Sequence, residues 1–557
     1  MRTLKVSIDR GKPARHPSYA TVGSLAGPRK HSGQLPLVAA LVNNEVSSLS
    51  YPLTVDSSIC FLTVSDSHGW RVYRNSMSFL LAKATTELFP HARFAIQNSL
   101  GTGIYCSIEI PSSRGARNIT AAQLLRLDRR IRDLVAKDLP IERVKLSYAQ
   151  AVKRFRSAGH IDKLNLLKFR NPPRIVVHSC DGFIDLAHTP LAPSTGVLRT
   201  FRLIHYPPGF ILQLPDRARP ATVAPYKDQP PLFAIFQEHK EWGRILNVTT
   251  AGRLNEIIAS GEISEFIKIA EALHEKKVSH IADRVLSHKD RIRIILVAGP
   301  SCAGKTTFSK RLSIHLRVNG LRPLIVSTDD YFVDERSSPR DKSGNFDFEH
   351  IDAVDVPLFN RQLVELMKGN TVNLPQFDFE SRKRSAKTRP LQLADDQILI
   401  IEGIHGLNPK LTHRVPAKRK MKIYVSALTQ LALDANNRIS TTDNRLMRRI
   451  VRDSQFRGNS PLQTLRMWPS VRSGEKKWIF PFQRHADATF NSALDYELAI
   501  LKPIVEPLLL QIKSDSPEYA EARRLAAFLS NFLSVADTEV PKTSILREYI
   551  GQSAFSY

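Results

Sequence analysis

Between the apolar run Ile292-Arg293-Ile294-Ile295-Leu296-Val297-Ala298 and a helical pattern beginning near Lys305, the chain reads Gly299-Pro300-Ser301-Cys302-Ala303-Gly304-Lys305-Thr306, followed by Thr307. No other stretch restricts the fold as much. A glycine-permitted turn from strand to helix points backbone N–H groups at an anion, and the start of the helix adds positive potential. This is a phosphate-binding loop. Lys305 supplies a mobile positive charge, and Thr306 a hydroxyl for a magnesium ion bridging the outer phosphates.

At 557 residues the chain exceeds what one hydrophobic core organises, so two to four domains are expected. With 42% hydrophobic and 24% charged residues it can bury large cores, and no apolar run approaches the ~20 residues that span a bilayer. Cys60, Cys106, Cys180 and Cys302 are scattered and form no close metal-ligand pair, which suits a reducing, cytoplasmic setting. The basic start (Arg2, Lys5, Arg10, Lys12, Arg15) lacks the apolar core of a secretory signal and leaves a mitochondrial presequence open. A net charge of +27 asks for an acidic partner. The basic residues fall in short groups such as Arg382-Lys383-Arg384 and Lys418-Arg419-Lys420, so a nucleic-acid surface and a solvated basic face both remain readings.

Residues 1–66 read as a small β-rich unit, with Leu4 to Ile8 alternating at strand period and short apolar runs at Leu37–Val42 and Ile59–Val64. From Ser67 the pattern turns helical and then mixed until Pro230-Pro231, giving an α+β unit over 67–231. Residues 232–290 read as a helical connector, with Val278, Ile281, Ala282 and Val285 on one apolar face. Residues 291–557 form the α/β half, a parallel sheet flanked by helices.

In that half Leu324 to Thr328 is a buried strand ending on Asp329-Asp330-Tyr331-Phe332, and Gln397 to Ile401 is another ending on Glu402. Ligands of open α/β sheets lie beyond the C-terminal strand ends, so both acids should face the crevice of Lys305. Asp329 is placed to take a proton from an attacking hydroxyl, and Glu402 to serve the metal. A third strand, Met421 to Val425, leads to a helix with Arg445, Arg448, Arg449 and Arg452 at three and four spacing and Arg457 at its end. Guanidinium groups suit a lid closing over phosphates.

Gly69 to Lys83 and Phe183 to Gly196 resemble the two signatures of the second additional domain of threonyl-tRNA synthetases, and the unit before them is similar to their TGS domain. The family's metal and editing positions fall here on Asn75, Phe79, Ala187 and Leu191. Phenylalanine, alanine and leucine offer no ligand lone pair or proton-transfer group, so the resemblance implies a binding or structural module without editing chemistry. His178 and His188 read as ordinary packed or surface residues.

The second half resembles the uridine kinase and phosphoribulokinase family, in the form that carries this synthetase-like half. The resemblance rests on the phosphate loop, Ser327 to Phe332, Asn345-Phe346-Asp347, Pro375 to Phe379, Glu402 to Gly406, and Arg448 to Asp453. It continues through Met467 to Val471, Phe490 to Leu494, and Ser544-Ile545-Leu546-Arg547-Glu548. It implies an ATP- and magnesium-dependent kinase in which Gly299 to Thr307 bind ATP, Asp329 and Lys305 are catalytic, and Thr306 and Glu402 serve the metal. By the same resemblance Asp347, Phe377, Arg382, Arg449 and Arg452 contact the acceptor and the transferring phosphate, and Arg457 is a lid residue. Uridine or cytidine is the implied acceptor. Arg382 stands where uridine kinases present a base-contacting histidine, and such a permanent donor suits an anionic acceptor better. An ATP-binding regulator that reads RNA with its first half is the rival reading, and homo-oligomerisation stays open.

Overall fold

By their contacts the segments of the chain sort into two units, one comprising Met1–Ala259, Gln430–Ile439 and Leu509–Leu533, the other Ser260–Thr429, Ser440–Leu508 and Ser534–Tyr557. The computed structural model describes residues 3–30, 35–113, 115–170, 172, 174–186, 188–341, 344, 346–378, 381 and 383–557.

In the first unit, strand alternation puts Leu4 and Val6 inside while Lys5 faces water, and Thr3–Ile8 joins a five-stranded sheet in the order Ala14–Pro17, Thr3–Ile8, Ser57–Thr63, Leu37–Val42, Glu45–Ser47. The helix Ser67–Leu88 follows. Its Val72, Met77, Leu80 and Leu81 form one core with Ile104, Cys106 and Ile108 of the strand Gly103–Ile110 and with Phe210 and Leu212 of its neighbour Gly209–Gln213. A three-stranded sheet, Phe183–Leu186, Ile175–Cys180 and Glu142–Leu146, completes the α+β part.

Of the four positions where the synthetase family carries editing ligands, Asn75 donates to Thr189 Oγ1 at 2.6 Å, Phe79 meets Phe183 edge-on at 5.2 Å, and Leu191 is buried. Ala187 lies outside the described residues. His178 is buried on its strand and burial pushes it down to about 4, whereas His188 Nε2 lies 3.4 Å from Asp434 Oδ2. Around Asp434 the unit holds a buried charge cluster: Lys163 Nζ is 2.8 Å from Asp185 Oδ1 and 3.5 Å from Asp434 Oδ1. Gln430–Ile439 and Leu509–Leu533, distant in sequence from residues 1–259, make their contacts in this unit.

The second unit is built on a parallel sheet in the order Arg322–Ser327, Gln397–Glu402, Ile294–Ala298, Lys420–Ser426, Ala488–Asn491. Ile294–Ala298 is central and buried throughout, as a near-continuous apolar run covered on both faces should be. On one side Val326, Leu399 and Ile401 pack with Phe359, Leu363 and Leu366 of the helix Val356–Met367. The connector region supplies the helix Ile263–Leu286, whose Val278, Ile281, Ala282 and Val285 are buried, and whose Glu275 pairs with Arg311 of the helix Lys305–Val318 at 2.5 Å. No helix among the described residues is long and apolar enough to cross a membrane.

Candidate active site

The phosphate loop runs from the central strand into the helix Lys305–Val318, and its conformation is enforced by what surrounds it. A Cβ on Gly299 would fall 2.0 Å from the Val425 carbonyl oxygen, so only glycine lets strand and loop approach. Gly304 caps the helix at φ +80°, a left-handed conformation that favours glycine, and Cys302 holds φ 57°. Ala303 and the Cys302 thiol are buried, and Lys305 Nζ rests 3.4 Å from the Pro300 carbonyl.

Register places the acids where the strands end. Ser327 and Val297 both pair with Glu402, so the tips of three adjacent strands lie side by side next to the loop. Glu402 Oε1 accepts from Ser327 Oγ at 3.0 Å and from Thr306 Oγ1 at 3.3 Å. Burial, reinforced by the Asp329 charge and opposed by Lys305, pushes the Glu402 carboxyl up to about 7. Asp329 is the second residue of the short turn Thr328–Tyr331, its N–H donating to Ser327 Oγ at 3.2 Å. Burial pulls His405, three residues beyond Glu402, down to about 4. Two hydroxyls and a carboxylate around one point are hard oxygen donors, and Mg²⁺ is commonly held by one or two protein oxygens together with substrate phosphates. The residues present therefore fit magnesium.

The arginine helix, Thr441–Phe456, differs from a solvated lid. Arg445 and Arg448 are 1% and 0% exposed. Arg445 forks onto Glu475 and donates from Nε to the Ser301 carbonyl at 2.9 Å. Arg448 pairs with Glu497 at 2.5 Å and donates to the carbonyls of Ser492 (2.8 Å) and Cys302 (3.4 Å). Both brace the loop from behind. A guanidinium can be buried this way because its planar fork satisfies several acceptors at once. Arg449 reaches Ser301 Oγ at 3.0 Å and Asp453 at 3.1 Å, and Arg452 pairs with Asp453 at 2.7 Å. Arg457 follows the helix end, its N–H donating to the Asp453 carbonyl, and the neighbouring Arg452 charge and burial pull its pKa down. Arg449, Arg452 and Arg457 thus gather around one aspartate.

Asp347, which the resemblance makes an acceptor contact, is 8% exposed and its Oδ1 has no hydrogen-bond partner among the described residues. Glu349 Oε2 is likewise buried and unpartnered among them. A Cβ on Gly474 would fall 2.3 Å from the Glu349 Cβ and 3.5 Å from Asp347 Oδ1, so both side chains converge on that glycine. Burial and the Glu475 charge, opposed by Arg449 and Lys305, push Glu349 up to about 7. Phe377 stands on a two-residue strand, its ring 5.6 Å from Phe332. Arg382 lies outside the described residues. Thr307 is fully buried, its hydroxyl donating to Glu548 at 2.7 Å.

Sequence reasoning assigned no role to Glu349, Glu475 and Glu497, and read Glu548 only as part of a segment that carries the resemblance. A usable signal was present for Glu497, since a carboxylate set in Leu494-Asp495-Tyr496-Glu497-Leu498-Ala499 must find a cation when that run is buried.

The profile of the Phosphoribulokinase / Uridine kinase family matches residues 294–499. The uridine kinase of Lactobacillus helveticus is 29% identical over 208 residues, which cover 37% of this chain and 90% of that enzyme. Threonine–tRNA ligases match the N-terminal region. That of Desulforamulus reducens is 30% identical over 204 residues, 36% of this chain and 31% of the ligase, so the chain spans about a third of those relatives. A solved structure described as a possible uridine kinase from Bacillus stearothermophilus shares 21% identity, covers 39% of this chain and 98% of its own, and has a TM-score of 0.28. Residues 294–499, which carry the parallel sheet, the phosphate loop and the strand-end acids, thus form a domain that matches the Phosphoribulokinase / Uridine kinase family.

Proposed function

We propose that this P-loop kinase transfers the terminal phosphoryl group of ATP to a hydroxyl of a neutral, hydroxyl-rich small molecule, with uridine or cytidine the leading acceptor. The observation that carries the reading is the convergence of Lys305, Thr306, Asp329 and Glu402 at the C-terminal edge of the parallel sheet. Asp329 orients the acceptor hydroxyl and takes its proton as it attacks. Lys305, with Arg449, Arg452 and Arg457, balances the charge that spreads over the transferring group. Thr306 and Glu402 would hold magnesium, which when bound would neutralise the phosphate oxygens. Among the described residues Asp347 Oδ1 and Glu349 Oε2 have no hydrogen-bond partner, which favours a neutral acceptor: hydroxyls can donate to both, whereas an anion would be repelled. That weighs against the anionic acceptor suggested by Arg382.

The test is ADP release from ATP and magnesium against a panel of nucleosides and small polyols, with Asp329→Asn alongside. Acceptor-dependent release with uridine or cytidine, falling by at least 10²-fold in the variant, is expected. Turnover only with an anionic acceptor would refute the acceptor class. ATP binding with no turnover, and a variant equal to the parent, would refute the catalytic reading and bring forward the RNA-linked regulator.

A further inference from the structure

The segment Ser544-Ile545-Leu546-Arg547-Glu548 lies beyond the residues matched by the kinase family, and none of the chemistry above uses it. It packs against the phosphate loop inside the second unit. A Cβ on Gly304 would fall 2.5 Å from Ile545 Cγ2 and 3.6 Å from the Tyr549 hydroxyl, so this segment walls the loop where it turns into its helix. The Tyr549 ring lies 5.1 Å beneath the Arg448 guanidinium, the same guanidinium that holds the Cys302 carbonyl. Glu548 Oε2 accepts from the Thr307 hydroxyl at 2.7 Å and from the Thr307 N–H at 3.3 Å. The Tyr557 hydroxyl, 2.8 Å from Thr307 Oγ1, closes the other side.

Thr306 and Thr307 are consecutive in the first helical turn, so their side chains diverge by about 100°. Thr306 faces Glu402, and Thr307 is turned wholly into the Ser544–Tyr557 segment. Fixing Thr307 therefore fixes the rotation of the helix start, which carries Lys305 and Thr306. The Thr307 amide is one of the donors that a helix start leaves without an intrahelical partner, and Glu548 satisfies it from a distant point in the chain.

We infer that Glu548 is a positioning residue for nucleotide binding, acting through Thr307 to hold Lys305 and Thr306 toward the phosphates. The inference rests on the kinase reading above. It differs from a simple helix cap in what it controls: the setting of the phosphate loop, supplied by a part of the chain beyond the residues that the family profile matches. The opposite possibility is physically distinct, because a carboxylate at the first turn of a phosphate-binding helix would compete with ATP if it occupied the nucleotide's own donors.

The full-length protein, Glu548→Ala, Glu548→Gln and Tyr557→Phe are compared by calorimetric titration with Mg-ATP and by acceptor-saturated kinetics. Tyr557 is 59% exposed, so its substitution keeps a second measurement available if Glu548→Ala folds poorly. Expected are an approximately tenfold weaker Mg-ATP affinity with a matching rise in KM for Glu548→Ala, and kcat within about threefold of the parent. Glu548→Gln, whose amide oxygen can still accept from Thr307, should recover affinity to within about threefold, and Tyr557→Phe should weaken it by about twofold. Equal affinity in parent, Glu548→Ala and Tyr557→Phe would overturn the inference alone. Tighter binding in Glu548→Gln would overturn it too, by showing that the carboxylate opposes the nucleotide. A parent that binds no Mg-ATP would overturn both this inference and the kinase reading.

Discussion

Replacing Arg448 by methionine separates the two jobs that the structure gives this side chain. Arg448 is 0% exposed and donates from Nε (2.7 Å) and a terminal nitrogen (2.5 Å) to Glu497 Oε2, while Glu497 itself is 1% exposed. Methionine fills a similar volume but leaves Glu497 a buried charge with, among the described residues, the Asn444 amide to answer it. Breaking such a pair from one side costs about 3–5 kcal/mol, since the stranded carboxylate keeps its desolvation penalty and loses its counter-charge. For a unit of this size that corresponds to a fall in Tm of about 6–20 °C. Removing both partners, as Arg448→Met with Glu497→Leu, should restore stability to within about 1 kcal/mol, because neither charge is then buried. Mg-ATP affinity should stay reduced in the double variant, because the carbonyls of Cys302 and Ser492 have lost their donor. Differential scanning calorimetry supplies the first quantity and titration with Mg-ATP the second. A single variant within 1 kcal/mol of the parent would refute the buried-pair argument, and a double variant with parental affinity would refute the bracing of the loop.

Lys163→Met should strand Asp185 and Asp434 together, both of whose side chains are at most 3% exposed. In the parent, burial raises Asp434 but Lys163, His188 and Asn437 outweigh it and hold it below the usual carboxylate range. Its contribution is thus present above the unfolded value of about 4 and lost as pH falls through the lower folded value. Without Lys163 both acids can relax by taking protons, so the variant's penalty in urea unfolding should be smaller at pH 4.5 than at pH 7.5; a larger penalty at pH 4.5 would contradict the cluster's reading. Glu349 is the reverse case, an acid raised to about 7. The folded state holds that proton longer than the unfolded chain, so stability should decline as pH rises from about 4.3 through 7, and Glu349→Gln should flatten that decline in ligand-free protein.

The parts of the site that local patterns specify were legible. The phosphate loop declares itself by glycine spacing, and Asp329 and Glu402 by standing at the ends of short apolar strands, since parallel strands carry their termini to one edge whatever their order in the chain. Arginine spacing on Thr441–Phe456 was also visible, but spacing does not tell burial. Arg445 and Arg448 lie inside because Glu475 and Glu497 meet them there, and those acids stand 30 and 49 residues further along the chain. Glu349 was hidden by the same limit. Nothing in Asp347-Phe348-Glu349 separates a surface acid from a buried one until Gly474 is seen against it.

The relatives stop short of the physical boundaries for a related reason. The ligase-like match covers 36% of the chain, yet the first unit also takes Gln430–Ile439, a segment that follows the strand Lys420–Ser426 in sequence. That segment is bound by backbone as well as side chains: Ile96 N–H donates to the Ala435 carbonyl at 2.8 Å, Ala432 N–H to the Thr249 carbonyl at 3.0 Å, and Ala435 N–H to Asp162 at 2.8 Å. Its Asp434 completes the charge cluster on Lys163, and its Asn436 donates to Asp185 at 2.7 Å. Residues 1–259 alone would therefore leave the N–H of the buried Ile96 unsatisfied and the Asp185 carboxylate short of a donor, each a cost on the order of 1–3 kcal/mol. A synthetase-like region whose interior is finished by residues from the kinase half cannot be a freely exchangeable module in this chain. Its folding has to wait for a contact 251 residues distant in sequence, which raises the contact order of this unit.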